Sequence, residues 1–173
     1  MKAWGGEQRI VRIAERRYMR PMGTVAVRIV DDVTGQPTAA RVYHTASDGK
    51  PYTPPDSYER LAALNRHLFH TPGSYVTQVP PGNLTIEVTK GFEYDLSKAT
   101  IDVRAGTTQQ VTIRMKRLAD LQSKGWRSGS NHVHMNYAGN LHNTPENMIM
   151  MAAAEDLGMT SLQIANKDNR ILD

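Results

Sequence analysis

From Thr24 onward the chain alternates. Val25, Val27 and Ile29 are interleaved with Ala26, Arg28 and Val30, a period of two that predicts a half-buried strand. Asp31-Asp32-Val33-Thr34-Gly35-Gln36-Pro37 reads as a turn, and Ala39 to His44 as the next strand. Four more strands follow at short intervals. One runs from Tyr75 to Val79 and closes at Pro80-Pro81-Gly82-Asn83; the others pass through Leu84, Ile86 and Val88, through Ile101 and Val103, and through Val111, Ile113 and Met115. Short alternating strands with turn signals between them predict an antiparallel β-sandwich over residues 22–117. Strands of a parallel sheet, buried on both faces, would read as unbroken apolar runs instead. The section from Ser47 to Gly73 is a long Gly/Pro-punctuated connection, with brief helical spacing of Leu61, Leu64 and Leu68.

The pattern changes after Arg117. Trp126 leads into a short apolar run that holds His132 and His134. Thr144-Pro145-Glu146 is a helix start, with Thr as N-cap, Pro in the first turn and an acid at the positive end. The helix is predicted to reach about Leu157, where Gly158 ends it, and Thr160 to Ala165 to be a strand. Strand, helix, strand is the order of a parallel βαβ unit with a right-handed crossover. The expected class is therefore mainly β: an antiparallel β-sandwich followed by a partial βαβ. Three segments are expected: an N-terminal arm over 1–21, the sandwich over 22–117, and the βαβ piece over 118–173. Within the arm, residues 7–20 fit a short amphipathic helix and an edge strand about equally.

Composition narrows the function classes. Apolar residues make up 39% and charged residues 22% of 173, the balance of an ordinary globular chain. No apolar run approaches the length of a membrane span, and no membrane partner is expected. With no Cys, thiolate ligands, disulfides and Cys nucleophiles are excluded. The net charge of +4 lies in the arm, where Lys2, Arg9, Arg12, Arg16, Arg17 and Arg20 face Glu7 and Glu15. The rest of the chain is balanced, so no nucleic-acid partner is expected.

The candidate chemistry sits in the βαβ piece. Two residues apart on a strand, His132 and His134 share a face, and neutral imidazole is a common metal ligand. In a βαβ unit the ends of both strands lie on one rim, which sets this pair beside Asn166, Lys167 and Asp168. His142, in the loop that follows, is a candidate third ligand or proton shuttle. Asn131, Asn136 and Tyr137 are candidates for orienting ligands or binding substrate, though Asn-rich loops also serve turn geometry. His44, His67 and His70 lie in the sandwich without a ligand spacing. The Met-rich stretch from Met148 to Met159 reads as core or interface filler. Ser130 lacks the Gly-x-Ser-x-Gly surroundings of an activated serine.

The run Ser128-Gly129-Ser130-Asn131-His132-Val133-His134-Met135-Asn136-Tyr137, followed by Asn143-Thr144-Pro145-Glu146-Asn147, Ala154-Glu155-Asp156 and Asn166-Lys167-Asp168-Asn169-Arg170, resembles the carbaryl-hydrolase-like branch of the PHP (polymerase and histidinol phosphatase) metallohydrolases. The upstream sandwich resembles the carboxypeptidase-regulatory-like domain that precedes the barrel in many of those proteins. The resemblance implies a divalent-metal hydrolase of ester, amide, carbamate or phosphoester bonds, from a family often exported in bacteria. His132 and His134 match its first metal motif, and Glu155 an acidic position late in its first helix. Ser130 stands where the family commonly has Asp, and Asn166-Lys167 where the wider superfamily has a Thr-Asp-His-like motif.

The leading expectation is thus a hydrolase with a Zn²⁺ or Mn²⁺ ion on His132 and His134 that activates water. His142 and Glu155 are its candidate catalytic groups, and Asn131, Asn136, Tyr137, Asn166 and Lys167 its candidate substrate contacts. The substrate would be a small molecule or a polymer. Two His ligands are fewer than zinc normally takes, and a closed PHP barrel is longer than this βαβ piece. The chain is therefore expected to be a fragment, or to complete its site as a homo-oligomer. The alternative is a non-catalytic β-sandwich binding module that carries a vestigial metallohydrolase fragment.

Overall fold

The structure, a computed structural model, describes residues 17–134 and 144–163. Among these residues ten strands and one α-helix follow in chain order: β1 (Gly23–Asp31), β2 (Ala40–Thr45), β3 (Arg60–Ala62), β4 (Arg66–Thr71), β5 (Ser74–Val79), β6 (Gly82–Thr89), β7 (Ser97–Val103), β8 (Thr108–Met115), β9 (Gly129–His134), α1 (Pro145–Ala154) and β10 (Met159–Gln163). They build a three-stranded sheet in the order β5-β1-β8, a five-stranded sheet in the order β3-β4-β2-β6-β7, and a two-stranded sheet of β9 and β10. The mainly β class and the sandwich are as expected.

The two larger sheets meet over an apolar interior. From β1 come Val25, Val27 and Ile29, from β2 Val42, and from β6 Leu84, Ile86 and Val88, all buried. Each such aliphatic side chain contributes about 1.5–3 kcal/mol when withdrawn from water. One pairing departs from the antiparallel expectation. β1 runs antiparallel to β5 but parallel to β8, with Val27 opposite Val111 and Ile29 opposite Ile113. Alternation reports that one face of a strand is buried and says nothing of its neighbour's direction.

The helical spacing around Leu61, Leu64 and Leu68 is corrected to a hairpin of β3 and β4, with Arg60 opposite Leu68 and Ala62 opposite Arg66. Leu64 and Asn65 turn it at φ 62° and 56°. Leu61 and Leu64 are exposed, so the spacing of the leucines does not mark a buried helical face. Along β4, by contrast, Leu68, Phe69, His70 and Thr71 are all buried. Phe69 joins the interior of the sandwich, while Leu68 and His70 face the other way, toward α1.

β9 and β10 pair in parallel, as a βαβ unit requires. α1 starts as expected, with the Thr144 hydroxyl accepting from the Asn147 N–H at 3.3 Å and Pro145 in the first turn. It ends at Ala154, earlier than the expected Leu157. Asp156 takes φ 54°, the Leu157 N–H returns to the Ala152 carbonyl at 2.9 Å and the Asp156 N–H to that of Ala153 at 3.2 Å. This is a Schellman stop, made by Asp rather than by Gly158. Among the described residues no helix is long and apolar enough to cross a membrane.

Candidate functional site

The residues singled out from the sequence separate. His132 and Asn131 lie exposed on β9, and Gln163 of β10 donates to the Asn131 carbonyl at 3.3 Å. His134 closes β9. Asn136, Tyr137, His142, Asn166 and Lys167 lie outside the described residues. Among the described residues no three His, Asp or Glu side chains converge as a metal would require. His44 is core: its Nδ1–H donates to the Tyr52 carbonyl at 2.8 Å, which leaves Nε2 to accept from the Tyr75 hydroxyl at 2.7 Å. Burial holds the His44 pKa down at about 3 and pushes the Tyr75 phenol up. His67 meets Glu59 at 2.5 Å and His70 meets Glu155 at 2.7 Å, so the three sandwich histidines serve three different places.

Glu155, a candidate catalytic group from the sequence, clamps the end of α1 to the outer face of the five-stranded sheet. Its carboxylate accepts from Arg41 Nε at 2.6 Å, from Arg41 Nη2, and from His70 Nε2. Burial alone would raise its pKa, but the His70 and Arg41 hydrogen bonds outweigh it and hold the carboxyl below the ordinary range. Two further cations complete the joint. Lys90 Nζ donates to the Ala39 carbonyl at 2.9 Å and to the Ala153 carbonyl at 2.5 Å, placing positive charge at the negative end of the helix. Arg117 reaches Asp156 at 3.2 Å and Glu93 at 2.7 Å. Gly91 lies so close that an added Cβ would stand 2.7 Å from both Asp156 Cβ and the Glu155 carbonyl oxygen.

Beside this joint runs an open groove of about 1050 Å³ between β3 and β4, the loop after β6, β9 and α1. Its lining is largely apolar, with Leu61, Leu68, Phe92, Trp126, Val133 and Met151 among the contributors. Phe92 is fully exposed and Trp126 is 69% exposed, an unusual outlay of aromatic surface. Of the acids on the groove, Glu155 is held by Arg41, and Glu93 and Asp156 by Arg117. Two guanidinium groups are left without an acid among the described residues. Arg127 donates to the backbone carbonyls of Gln122 and Trp126, each at 2.8 Å. Arg60 is part-buried, and its pKa is lowered by that burial.

Sequence reasoning missed Arg41, Arg60, Lys90 and Arg117. A signal was present in Leu68-Phe69-His70-Thr71, where bulky side chains at both parities mark a strand covered on both faces.

No family model matches the chain, and no curated protein matches it. Solved structures align loosely. The minor pilin of Streptococcus agalactiae aligns at TM-score 0.42 and 16% identity, over 58% of this chain and 46% of that one. The C-terminal domain of the shaft pilin SpaA of Lactobacillus rhamnosus GG gives TM-score 0.38 and 16% identity over 57% of this chain and 99% of that one. The phospholipase PlaB of Legionella pneumophila gives TM-score 0.37 and 16% identity over 62% of this chain and 28% of that one. The chain thus spans less than half of the minor pilin and less than a third of the phospholipase. These likenesses are too loose to transfer a function. The expected membership of the PHP metallohydrolases, with its carboxypeptidase-regulatory-like sandwich and zinc hydrolase chemistry, is corrected. No family model matches the chain, that of the PHP metallohydrolases included, and no metal cluster assembles among the described residues.

Proposed function

We propose that the chain is a non-catalytic β-sandwich binding module whose groove takes an apolar partner bearing an acidic group. The observation that carries this reading is Arg60, a part-buried guanidinium in an apolar groove with no acid beside it among the described residues. A cation that has given up part of its hydration without a carboxylate beside it is costly to keep, even with Tyr58 nearby. A carboxylate, sulfonate or phosphate on the bound partner would relieve that cost, and Trp126 and Phe92 supply apolar contact area around it. Glu155 and His70 bind each other here, so they are assigned to holding the groove's shape and not to proton transfer.

The test uses two probes with the same rings: 8-anilinonaphthalene-1-sulfonate and the neutral N-phenyl-1-naphthylamine. With Trp4→Phe in the background, Trp126 reports alone. Saturable binding of the sulfonate is expected, quenching Trp126. Arg60→Gln should weaken it about tenfold, the size of one charge-assisted contact, while leaving the neutral probe unchanged. Equal weakening of both probes, or of neither, overturns the reading.

A further inference from the structure

β3 gives the groove three consecutive residues, Arg60, Leu61 and Ala62. A strand met face-on gives alternate residues, as β4 does with Leu68 and His70, so the groove lies over the outer face of the sheet and reaches around the side of β3. That side is open among the described residues, since β3 ends the five-stranded sheet and pairs with β4. β9, from a sheet of two strands among the described residues, likewise contributes the consecutive Gly129 and Ser130. Two edge strands therefore flank one apolar groove, and an edge strand presents a row of backbone donors and acceptors to any further strand.

Resting on the reading of the groove as a binding site, we propose that its occupant is an extended peptide that adds a strand beside β3, with apolar side chains in the groove and an acidic side chain on Arg60. Backbone pairing would supply affinity, and the alternate side chains would supply specificity. Charge decides between this occupant and a second copy of the chain. Among the described residues the groups at the groove without an acid are Arg60 and Arg127, both positive, so two grooves packed face to face would set like charges together.

A fluorescent seven-residue peptide of alternating valine and glutamate is the probe, used with the full chain. Two versions carry N-methyl groups at alternate residues, each blocking one edge of the extended peptide and leaving its side chains intact. One version is expected to bind at least tenfold more weakly than the parent peptide, the other about equally. Arg60→Glu should weaken the parent peptide at least tenfold and bind a valine–lysine peptide better than the native chain does. If both methylated versions bind like the parent, strand addition is overturned while the binding-module reading stands. Strand addition alone also fails if the naphthalene sulfonate binds and the peptide does not. If neither binds, both fail. A dimer in sedimentation that Arg60→Glu dissociates would make a second copy the occupant and overturn the proposal.

Discussion

The interior of the sandwich and the joint that carries α1 are held by different forces. Inside, Val25, Ile29, Val42, Leu84, Ile86 and Val88 are withdrawn from water, and the buried His44 has both ring nitrogens satisfied. At the joint, the contacts are ion pairs and capped carbonyls: Arg41 and His70 on Glu155, Lys90 on Ala153, Arg117 on Asp156. Apolar burial is nondirectional and strong in sum. Charge pairing fixes geometry, and its net contribution is small because both ions lose water. The sandwich supplies stability, and the joint sets the position of one wall of the groove.

Removing a large interior side chain should sharpen this contrast most. Phe69 packs edge-on against His44 and Tyr75 with ring centroids 5.2 and 5.0 Å away. Phe69→Ala should cost about 3–5 kcal/mol, read as a lower urea midpoint for the whole chain. A loss confined to α1 would mean that the two regions are not divided as described.

Acid should separate them next. The folded His44 pKa of about 3 lies below its unfolded value near 6.5, so the unfolded chain binds the extra proton between these values. Stability is complete above pH 6.5 and falls by about 1.4 kcal/mol per pH unit below it, about 3 kcal/mol by pH 4.5. The Glu155 carboxyl is also lowered, but from an unfolded value of 4.5, so its contribution is lost only below that pH. Unfolding free energy measured from pH 7 to 4.5 should therefore fall as the unfolded chain takes up a proton at His44, while α1 stays docked in the folded chain. A flat profile over that window would show that His44 is not held neutral.

The joint itself is tested by Glu155→Gln, which keeps the shape and removes the charge facing Arg41. The loss should be about 2 kcal/mol, the size of a charged hydrogen-bond pair that is only part-buried. It should appear in hydrogen exchange as faster amides in α1 with the strands unchanged. Equal acceleration throughout would place Glu155 in the global folding unit instead.

Strand positions in the sandwich were legible because each strand buries one face, so Val25-x-Val27-x-Ile29 and Leu84-x-Ile86-x-Val88 carry the period on their surface. The start of α1 was legible for the same kind of reason, since Thr144 and Pro145 act within one turn. What was not legible depends on distant partners. Nothing near Arg41 in the sequence announces Glu155, 114 residues away. Asp156 overrides Gly158 as the helix stop because the sandwich, through Arg117 and the close approach of Gly91, holds that residue in place. The β3–β4 hairpin was obscured because Leu61 and Leu64 are exposed apolar residues, which periodicity counts as buried.

The smallest expected effect concerns that hairpin's tip. Leu64 sits at φ 62° and is 94% exposed, so its side chain gains almost no burial from its place in the fold. The left-handed conformation costs an ordinary residue about 1–2 kcal/mol, whereas glycine adopts it freely at an unfolded-state entropy cost of about 0.5–1 kcal/mol. Leu64→Gly should therefore stabilise the chain by about 0.5 kcal/mol, a rise in Tm of about 1–2 °C. Because β3 ends two residues before Leu64, peptide affinity along its edge should not change. Destabilisation would mean that the Leu64 side chain is in contact with something in solution. Lost affinity without lost stability would make the hairpin tip, rather than the strand edge, the part that meets the partner.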